Sequence, residues 1–238
     1  MHAVKFYVEV FDSASIYAIL SASLLIKTID RTCLSVLLIK FVKTIYQANL
    51  SNQSEVNLMG CLAVLFALNE QELETFLNVE RPQRAYYMHN ELEENFWNDY
   101  PEYVCELDQA WDAMHRMLTD GSLNFENKFP PLCNVILGGE FVYGLERDPS
   151  GEVLIPDEED DAYIILKTPQ QVAGLAEALP KRTKEECRQC YDKIDEEDYG
   201  FAPYDEDFEY AWTYLQESLE FWKKAAAEKR YVLFTVDR

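Results

Sequence analysis

The sequence predicts an α+β domain, with a small central mixed sheet of about four to five strands and several helices packed against it. Short apolar runs typical of buried strands are interspersed with amphipathic segments that begin at helix caps. The 238 residues are 48% hydrophobic and 13% aromatic, which is enough apolar material to build a packed core. The segments follow the order strand, helices, strand, strand, helices, strand, and this order favours helices packed on a central sheet.

Four apolar runs are the strand candidates. Each is short and is bounded by a cap, by Gly or Pro, or by a polar loop, as buried strands usually are. The four runs are Gly60–Leu68, Leu132–Leu137, Ala162–Leu166 and Tyr231–Val236.

Caps and apolar spacing predict the helices. Asn or Thr followed three residues later by Glu or Gln is a capping box, in which both side chains bond to free N–H groups of the first turn. The clearest apolar stripe is Leu107, Trp111, Met114 and Leu118, at spacings of four, three and four. The predicted helices are those capped by Asn69, Thr168 and Thr183, and the segments Glu91–Trp97, Tyr103–Leu118 and Asp205–Lys229.

The formal net charge of −22 is unevenly distributed. Residues 1–58 hold five Lys/Arg and four Asp/Glu, whereas residues 59–238 hold 16 and 39, which gives −23. We therefore expect an N-terminal extension, residues 1–58, followed by a single acidic domain, residues 59–238. The negative field repels phosphate backbones and anionic lipid, so it argues against nucleic-acid binding. It suits a basic protein partner, a cation, or simply high solubility.

Residues 1–58 contain two apolar runs, Ile16–Ile26 and Cys33–Val42. Both are shorter than the roughly 18 apolar residues that a membrane helix needs. Glu9 and Asp12 stand where a signal peptide has its basic region. Three interpretations remain: a poorly ordered extension, upstream sequence translated from an early start codon, or a weakly membrane-associating hairpin. We favour the first two, and we expect a cytoplasmic protein without membrane association.

The six cysteines are spread through apolar or helical contexts, which favours reduced thiols. Cys187 and Cys190 form a lone CxxC, but a zinc site needs a second pair of ligands, and no His pair has the required spacing. A cap at Thr183 places Cys187 about one turn inside a helix, not at the helix N-terminus that lowers a thiol pKa. We expect structural thiols, and we assign no metal and no cofactor.

Asp108, Trp111, Asp112 and His115 are the candidate ligand-binding residues. On one continuous helix, Asp108, Asp112 and His115 would share a side at positions i, i+4 and i+7. A carboxylate beside an imidazole can raise its pKa and orient it for acid–base catalysis. The same spacing also forms an ordinary surface ion pair, or a buried His bonded to Asp. No nucleophile, metal motif or anion hole is visible in the sequence, so no catalytic residue is assigned.

Two further acidic stretches are interpreted as surface. Asp195–Gly200 with Glu206 has part of the spacing of an EF-hand calcium loop. Tyr199 stands where a carboxylate ligand belongs, and Pro203 falls in the second half of the loop, so the spacing argues against calcium binding. Asp157–Asp161 lacks ligand spacing and is predicted to be a solvated part of the polar loop 147–161.

Several stretches together resemble the YfbM-like family of uncharacterised bacterial proteins. The most specific is Leu107–Leu118, which contains the pattern Leu-Asp-x-Ala-Trp-Asp-x-x-His. The others are Met59-Gly60 before a strand, Gly138-Gly139-Glu140, Thr168–Val172 before a helix, and the terminal block from Leu215 to Phe234. The resemblance covers nearly all of residues 59–238 and implies the α+β fold. It implies no established activity, and residues 1–58 lie outside the family pattern.

Two functional hypotheses follow. The leading one is a non-catalytic protein-binding module whose acidic face engages a basic partner, for example an inhibitor or immunity-type protein that covers a cationic site. The alternative is a small-molecule-binding protein or an enzyme that uses the Asp108–His115 face. The sequence does not specify an oligomeric state.

Overall fold

The computed structural model describes residues 61–123, 125, 128–147, 153–154, 162–200 and 202–237. The predictions for residues 1–58, the turn at residues 149–151 and the run Asp157–Asp161 lie outside the described residues. The strands are β1 (Ala63–Leu68), β2 (Val104–Asp108), β3 (Glu140–Tyr143), β4 (Glu146–Arg147), β5 (Val153–Leu154), β6 (Ala162–Lys167) and β7 (Tyr231–Asp237). The α-helices are α1 (Glu70–Leu77), α2 (Arg84–Tyr87), α3 (Glu93–Asp99), α4 (Trp111–Leu118), α5 (Pro169–Ala178), α6 (Lys184–Tyr191), α7 (Glu196–Tyr199) and α8 (Asp205–Ala227).

Five strands form one sheet in the order β2-β1-β7-β6-β3, and β4 pairs with β5 in a separate two-stranded hairpin. The α+β class and the size of the sheet are confirmed. All pairings among the described residues are antiparallel, so the sheet that they form is not mixed. The C-terminal strand β7 lies between β1 and β6, and it therefore joins the N-terminal half of the domain to its middle.

The alternation of side chains along the central strands divides the core into two layers. Leu65, Ile165 and Phe234 face one side of the sheet, which α4, α5, α6 and α8 cover; we call these helices the four-helix layer. Phe66 and Leu233 face the other side, which the segment from α1 to α3 covers; we call it the short-helix layer. The two layers bury opposite faces of the same sheet.

The helix caps that the sequence predicts are confirmed. At Asn69, Thr168 and Thr183 the side chain accepts a hydrogen bond from the N–H three residues later, and the Glu or Gln at that position bonds back. The long C-terminal helix and the last strand are confirmed as α8 and β7. No helix in the described ranges combines the length and the apolar character needed to cross a membrane.

The predicted helix Tyr103–Leu118 is wrong in its first half. Residues Val104–Asp108 form β2 at the edge of the sheet, and α4 begins only at Trp111. Asp108 has a φ of 52°, a left-handed conformation that Asp adopts more readily than most residues, and it ends the strand. The apolar spacing was misleading because it combines residues of two elements. Leu107 is a buried residue of the strand β2, whereas Met114 is a buried residue of the helix α4.

The predicted strand Leu132–Leu137 is also wrong, because its first residues form a 3₁₀ turn at Leu132–Val135. All residues from Cys133 to Leu137 are buried. A short run buried on every side has no periodicity that distinguishes a strand from a helical turn. The edge strand is instead β3, which pairs with β6. The polar loop predicted at 147–161 contains part of the β4–β5 hairpin.

Glycine is required at position 144 because the chain that follows β3 passes very close to the start of β6. The φ of Gly144 is +85°, and an added Cβ would lie 2.1 Å from the carbonyl oxygen of Ala162. Gly174 is a natural control, since it lies in α5 and an added Cβ there would be 3.5 Å from Pro131.

We predict that Gly144→Ala lowers the free energy of unfolding by more than about 2 kcal/mol, because the backbone must move and keep a strained conformation. Gly174→Ala should raise the free energy of unfolding by about 0.5 to 1 kcal/mol, because Ala favours the helix. Urea unfolding followed by tryptophan fluorescence measures both changes. Effects of the same sign would contradict this packing.

Candidate functional site

The four candidate residues lie on two elements. Asp108 ends β2, whereas Trp111, Asp112 and His115 are part of α4. The predicted row at i, i+4 and i+7 is therefore wrong for Asp108, because residues 108 and 111 do not belong to one helix. Only Asp112 and His115 keep the helical spacing that the sequence predicted.

Asp108 connects the end of β2 to the long helix α8. Its carboxylate accepts a hydrogen bond of 3.0 Å from the hydroxyl of Tyr214. Tyr210, one turn earlier, packs edge-on against Tyr214 with ring centroids 4.9 Å apart. Burial, together with the nearby Asp108 charge, raises the pKa of Tyr210. This carboxylate therefore joins an edge strand to the four-helix layer.

Trp111 and His115 contribute to the packing of α4 on the sheet. The indole N–H of Trp111 donates a hydrogen bond of 3.1 Å to the backbone carbonyl of Cys61. The Trp111 ring lies 6.2 Å from the ring of Phe234, measured between centroids. His115 is only 1% exposed. His115 is therefore buried, whereas Trp111 is partly buried and packs against the core.

Asp112 belongs to a polar network centred on Arg116, whose guanidinium is 1% exposed. Nε of Arg116 donates to Asp112 at 2.5 Å, and Nη1 donates to Asp198 at 2.6 Å. Nη1 also donates to the carbonyl of Gly121 at 3.3 Å. The guanidinium carbon lies 5.1 Å from the centroid of the Tyr199 ring. Arg116 therefore joins α4 to α7, which is distant in sequence.

The charges in this network depend on one another. Burial raises the pKa of the Asp112 carboxyl, and the hydrogen bond and charge of Arg116 offset only part of this effect. Burial alone would lower the pKa of Arg116, but the bonds and charges of Asp112 and Asp198 hold it above its usual value. Removing one member would leave a desolvated charge without compensation.

Asp207 accepts hydrogen bonds from two tyrosines beside this network. The hydroxyls of Tyr191 and Tyr199 donate to its Oδ2 atom at 2.6 Å and 2.7 Å. Burial, followed by the bond to Asp207, raises the pKa of both tyrosines, so they remain protonated donors. Asp207 also lies in the first turn of α8, where a negative charge complements the helix dipole.

These contacts organise residues 192–209, which we call the acidic corner. It comprises the turn after α6, the short helix α7 and the first turn of α8. Within these 18 residues, Lys193 is the single Lys or Arg among nine carboxylates. The nine are Asp192, Asp195, Glu196, Glu197, Asp198, Asp205, Glu206, Asp207 and Glu209.

Two cationic side chains of α6 form ion pairs with carboxylates of the acidic corner. The guanidinium of Arg188 donates to Asp192 and to Asp205, each at 2.6 Å, and so bridges the two ends of the intervening loop. The ammonium of Lys184 donates to Glu209 at 2.6 Å. These ion pairs consequently fix both ends of the segment between α6 and α8, which contains α7.

Three glutamates of the acidic corner remain directed to solvent. Glu196, Glu197 and Glu206 are exposed, and no ion pair of theirs is found within the described part of the chain. Glu196 and Glu197 also border an open depression of the surface, together with Asp195 and Gly200. These three side chains are therefore in contact with solvent.

The calcium-loop interpretation fails on this geometry. Asp195 is the N-cap of α7, where its carboxylate accepts bonds from the N–H groups of Glu197 and Asp198. Asp198 is paired with Arg116. The oxygens therefore point to different partners. Across the residues that the structure describes, no group of three His, Cys, Asp or Glu side chains could hold a metal ion.

Cys187 and Cys190 lie within α6 and are buried. Burial raises the pKa of Cys187 to about 11, so its reactive thiolate form is scarce at neutral pH. A guanidinium nitrogen of Arg182 lies 3.5 Å from the sulfur of Cys190. This environment agrees with the prediction of structural thiols.

The sequence pattern predicted Asp112 as a site residue but not Arg116 or the partners that α7 and α8 supply. Arg116 stands four residues after Asp112, and this i, i+4 spacing is a readable signal for an ion pair. Asp198 is 82 residues away from Arg116 in the chain, so no local pattern predicts their contact. Asp207 likewise approaches only through the packing of α6, α7 and α8.

The fold defines an α+β protein in which helices cover both faces of a five-stranded antiparallel sheet. The family described as a domain of unknown function (DUF1877) matches residues 59–235, and the chain belongs to this family. A solved structure, described as the crystal structure of a protein of unknown function YfbM from Escherichia coli, is similar with a TM-score of 0.50 and 16% identity. The similarity covers 74% of this chain and 99% of that one, and it confirms the YfbM-like fold. A search of curated proteins finds no match.

We predict that Arg116→Met lowers the free energy of unfolding by about 3 kcal/mol at pH 7.5, because Asp112 is left largely buried without its partner. Burial raises the folded-state pKa of Asp112, and the loss of the guanidinium raises it further. A carboxyl with a higher pKa in the folded state binds protons preferentially when folded. The deficit should therefore shrink as the pH falls from 7.5 towards the unfolded pKa near 4.

Urea unfolding at pH 7.5 and pH 5 measures this difference. The double variant Asp112→Asn/Arg116→Met removes the stranded charge, and we expect it to regain part of the loss at pH 7.5. Arg188→Met is the matched control, because its ion pairs are more exposed and should contribute less than about 1 kcal/mol. Equal losses for Arg116→Met and Arg188→Met would show that Arg116 is not the centre of the network.

Proposed function

We propose that this domain is a non-catalytic protein-binding module and that the acidic corner is its contact surface for a basic protein partner. The observation that carries the proposal is the concentration of nine carboxylates and one lysine in residues 192–209. Complementary charge accelerates association and rejects partners of the wrong sign. The same field repels nucleic acid, so the partner is a protein.

The bonds inside the acidic corner support this proposal because they fix its shape before a partner arrives. Arg116 and Arg188 bridge its elements through carboxylates. The backbone that carries Glu196, Glu197 and Glu206 is thereby held in place. A preorganised surface loses less conformational entropy on binding than a flexible one.

One concrete form of this function is an inhibitor or immunity-type protein that covers the cationic site of a toxin or nuclease. The charge of −23 on residues 59–238 supports it, since such a site attracts a strongly negative surface. Reduced thiols favour a cytoplasmic location for this activity.

The surroundings of Asp108, Asp112 and His115 favour a binding module over an enzyme. Asp108 and Asp112 already accept bonds from Tyr214 and Arg116, which belong to the framework of the domain. His115 is buried within the helix layer. General acid–base catalysis requires a group within reach of a substrate proton. Asp108 instead joins β2 to α8, and Asp112 bonds to the guanidinium that joins α4 to α7.

We predict that the triple variant Glu196→Gln/Glu197→Gln/Glu206→Gln weakens binding of the basic partner at least about ten-fold at low salt, because three exposed charges are lost. The partner is first captured from host-cell extract by the full chain and purified. Its dissociation constant is then measured at several salt concentrations. The slope of affinity against salt should be smaller for the triple variant.

The matched control is Glu74→Gln/Glu80→Gln/Glu217→Gln, which removes the same number of exposed carboxylates elsewhere on the surface. We expect this control to bind almost as well as the wild type. If both triple variants weaken binding equally, the acidic corner is not the contact surface. A chain that binds no basic protein at low salt would refute the proposed function as a whole.

A further inference from the structure

A second surface, on the short-helix layer, combines exposed aromatic side chains with carboxylates. Tyr86, Trp97 and Tyr100 are 69%, 43% and 43% exposed. From residue 85 to residue 115 the sequence holds eight Asp or Glu and no Lys or Arg. Five of these acids fall within residues 86–102, among the three aromatic side chains. Apolar area and negative charge therefore occupy the same part of the surface.

The backbone arranges this surface in rows. Residues 84–99 run through α2, a π-turn at Met88–Leu92, and α3. Four residues advance slightly more than one turn of an α-helix, but slightly less than one turn of the wider π-helix. One π-turn between α-helical turns consequently keeps side chains four residues apart in register. The inner row is Met88, Leu92 and Phe96, all of which are buried.

The outer row is His89, Glu93 and Trp97, linked by side-chain hydrogen bonds. The indole N–H of Trp97 lies 3.3 Å from one carboxylate oxygen of Glu93, and Nδ1 of His89 lies 3.3 Å from the other. Glu93 is thereby held against the edge of an exposed indole ring. A guanidinium or ammonium group can stack on that ring and pair with the same carboxylate.

Tyr103 shows the same combination of a stacked cation and a carboxylate, supplied here by other residues of the domain. The guanidinium of Arg230 lies 3.4 Å and the ammonium of Lys224 lies 4.1 Å from its ring centroid. Its hydroxyl donates to Glu228 at 2.9 Å. Within the described ranges no Lys or Arg stacks on Trp97 in this way, and Trp97 is 43% exposed.

We propose that the helix face from Tyr86 to Trp97 binds an arginine- or lysine-bearing segment of a protein partner, with one cation stacked on Trp97 and paired with Glu93. Charge complementarity identifies this occupant, because residues 86–102 hold five carboxylates and no Lys or Arg. Tyr86 lies on the row next to that of Trp97, 11 residues earlier and about 16 Å away along the axis, which matches roughly five residues of extended peptide. This proposal shares with the proposed function only the sign of the partner's charge, because the face lies in the layer opposite the acidic corner.

The test measures binding of a fluorescein-labelled nonapeptide of alternating Arg and Gly to the full chain by fluorescence anisotropy. The acidic corner is neutralised with the Glu196→Gln/Glu197→Gln/Glu206→Gln variant as background, so that the remaining binding reports on the helix face. We expect Glu93→Gln and Trp97→Leu each to weaken binding about five-fold. Trp97→Phe should have an intermediate effect, since it keeps an aromatic face.

Two controls make the result specific. Glu217→Gln, on α8, removes an exposed carboxylate with the same change of charge and should leave binding within about two-fold of the background. A peptide with citrulline in place of Arg keeps the shape without the charge and should bind much more weakly. Glu93→Gln retains an oxygen that can accept the indole N–H, so the local fold is preserved, and circular dichroism verifies this.

Three results would overturn the proposal. Equal weakening of peptide binding by Glu93→Gln and Glu217→Gln would show that binding depends only on the overall negative charge of the protein. Equally tight binding of the citrulline peptide would show that the surface is simply apolar. A concentration-dependent dimer, detected by sedimentation and abolished by Trp97→Leu, would assign the face to a second copy of the chain. None of these results depends on whether the acidic corner binds a partner.

Discussion

The buried guanidinium of Arg116 determines the shape of the acidic corner, because it bonds to parts of the chain that are far apart in sequence. It donates to Asp112 in its own helix, to the carbonyl of Gly121 beyond that helix, and to Asp198 in α7. A charge this deeply buried is tolerated only when protein acceptors replace the water that it has lost. The three acceptors must therefore stay in place, and they fix α7 against α4.

Nine carboxylates in 18 residues repel one another, and the fold deals with them in two ways. Most are bonded internally: to Arg116, Arg188 and Lys184, to two tyrosine hydroxyls, or to the N–H groups at the start of α7. Glu196, Glu197 and Glu206 remain exposed. Salt screens exposed charges far more than buried ones. High salt should therefore weaken the proposed partner contact while the buried bonds of Arg116 keep the acidic corner folded.

Local patterns predicted the parts of the fold that are determined by neighbouring residues. The capping boxes at Thr168 and Thr183 are examples, since each is complete within four residues. The edge strand β2 was missed because Leu107 and Met114 form one stripe in sequence although they belong to a strand and a helix. The pair Arg116–Asp198 was missed for a different reason, because it exists only after distant elements have packed.

The sheet places the two proposed surfaces in different layers, and this constrains what kind of partner could use both. The acidic corner presents several charges on a fixed frame, and charge acts over distances near the Debye length of about 8 Å. The contact proposed at Glu93 and Trp97 would act only at short range, through one stacked and paired cation. A folded basic surface suits the first, whereas an extended basic segment suits the second. A partner that engages both must therefore combine a cationic domain with an arm that reaches around the edge of the sheet.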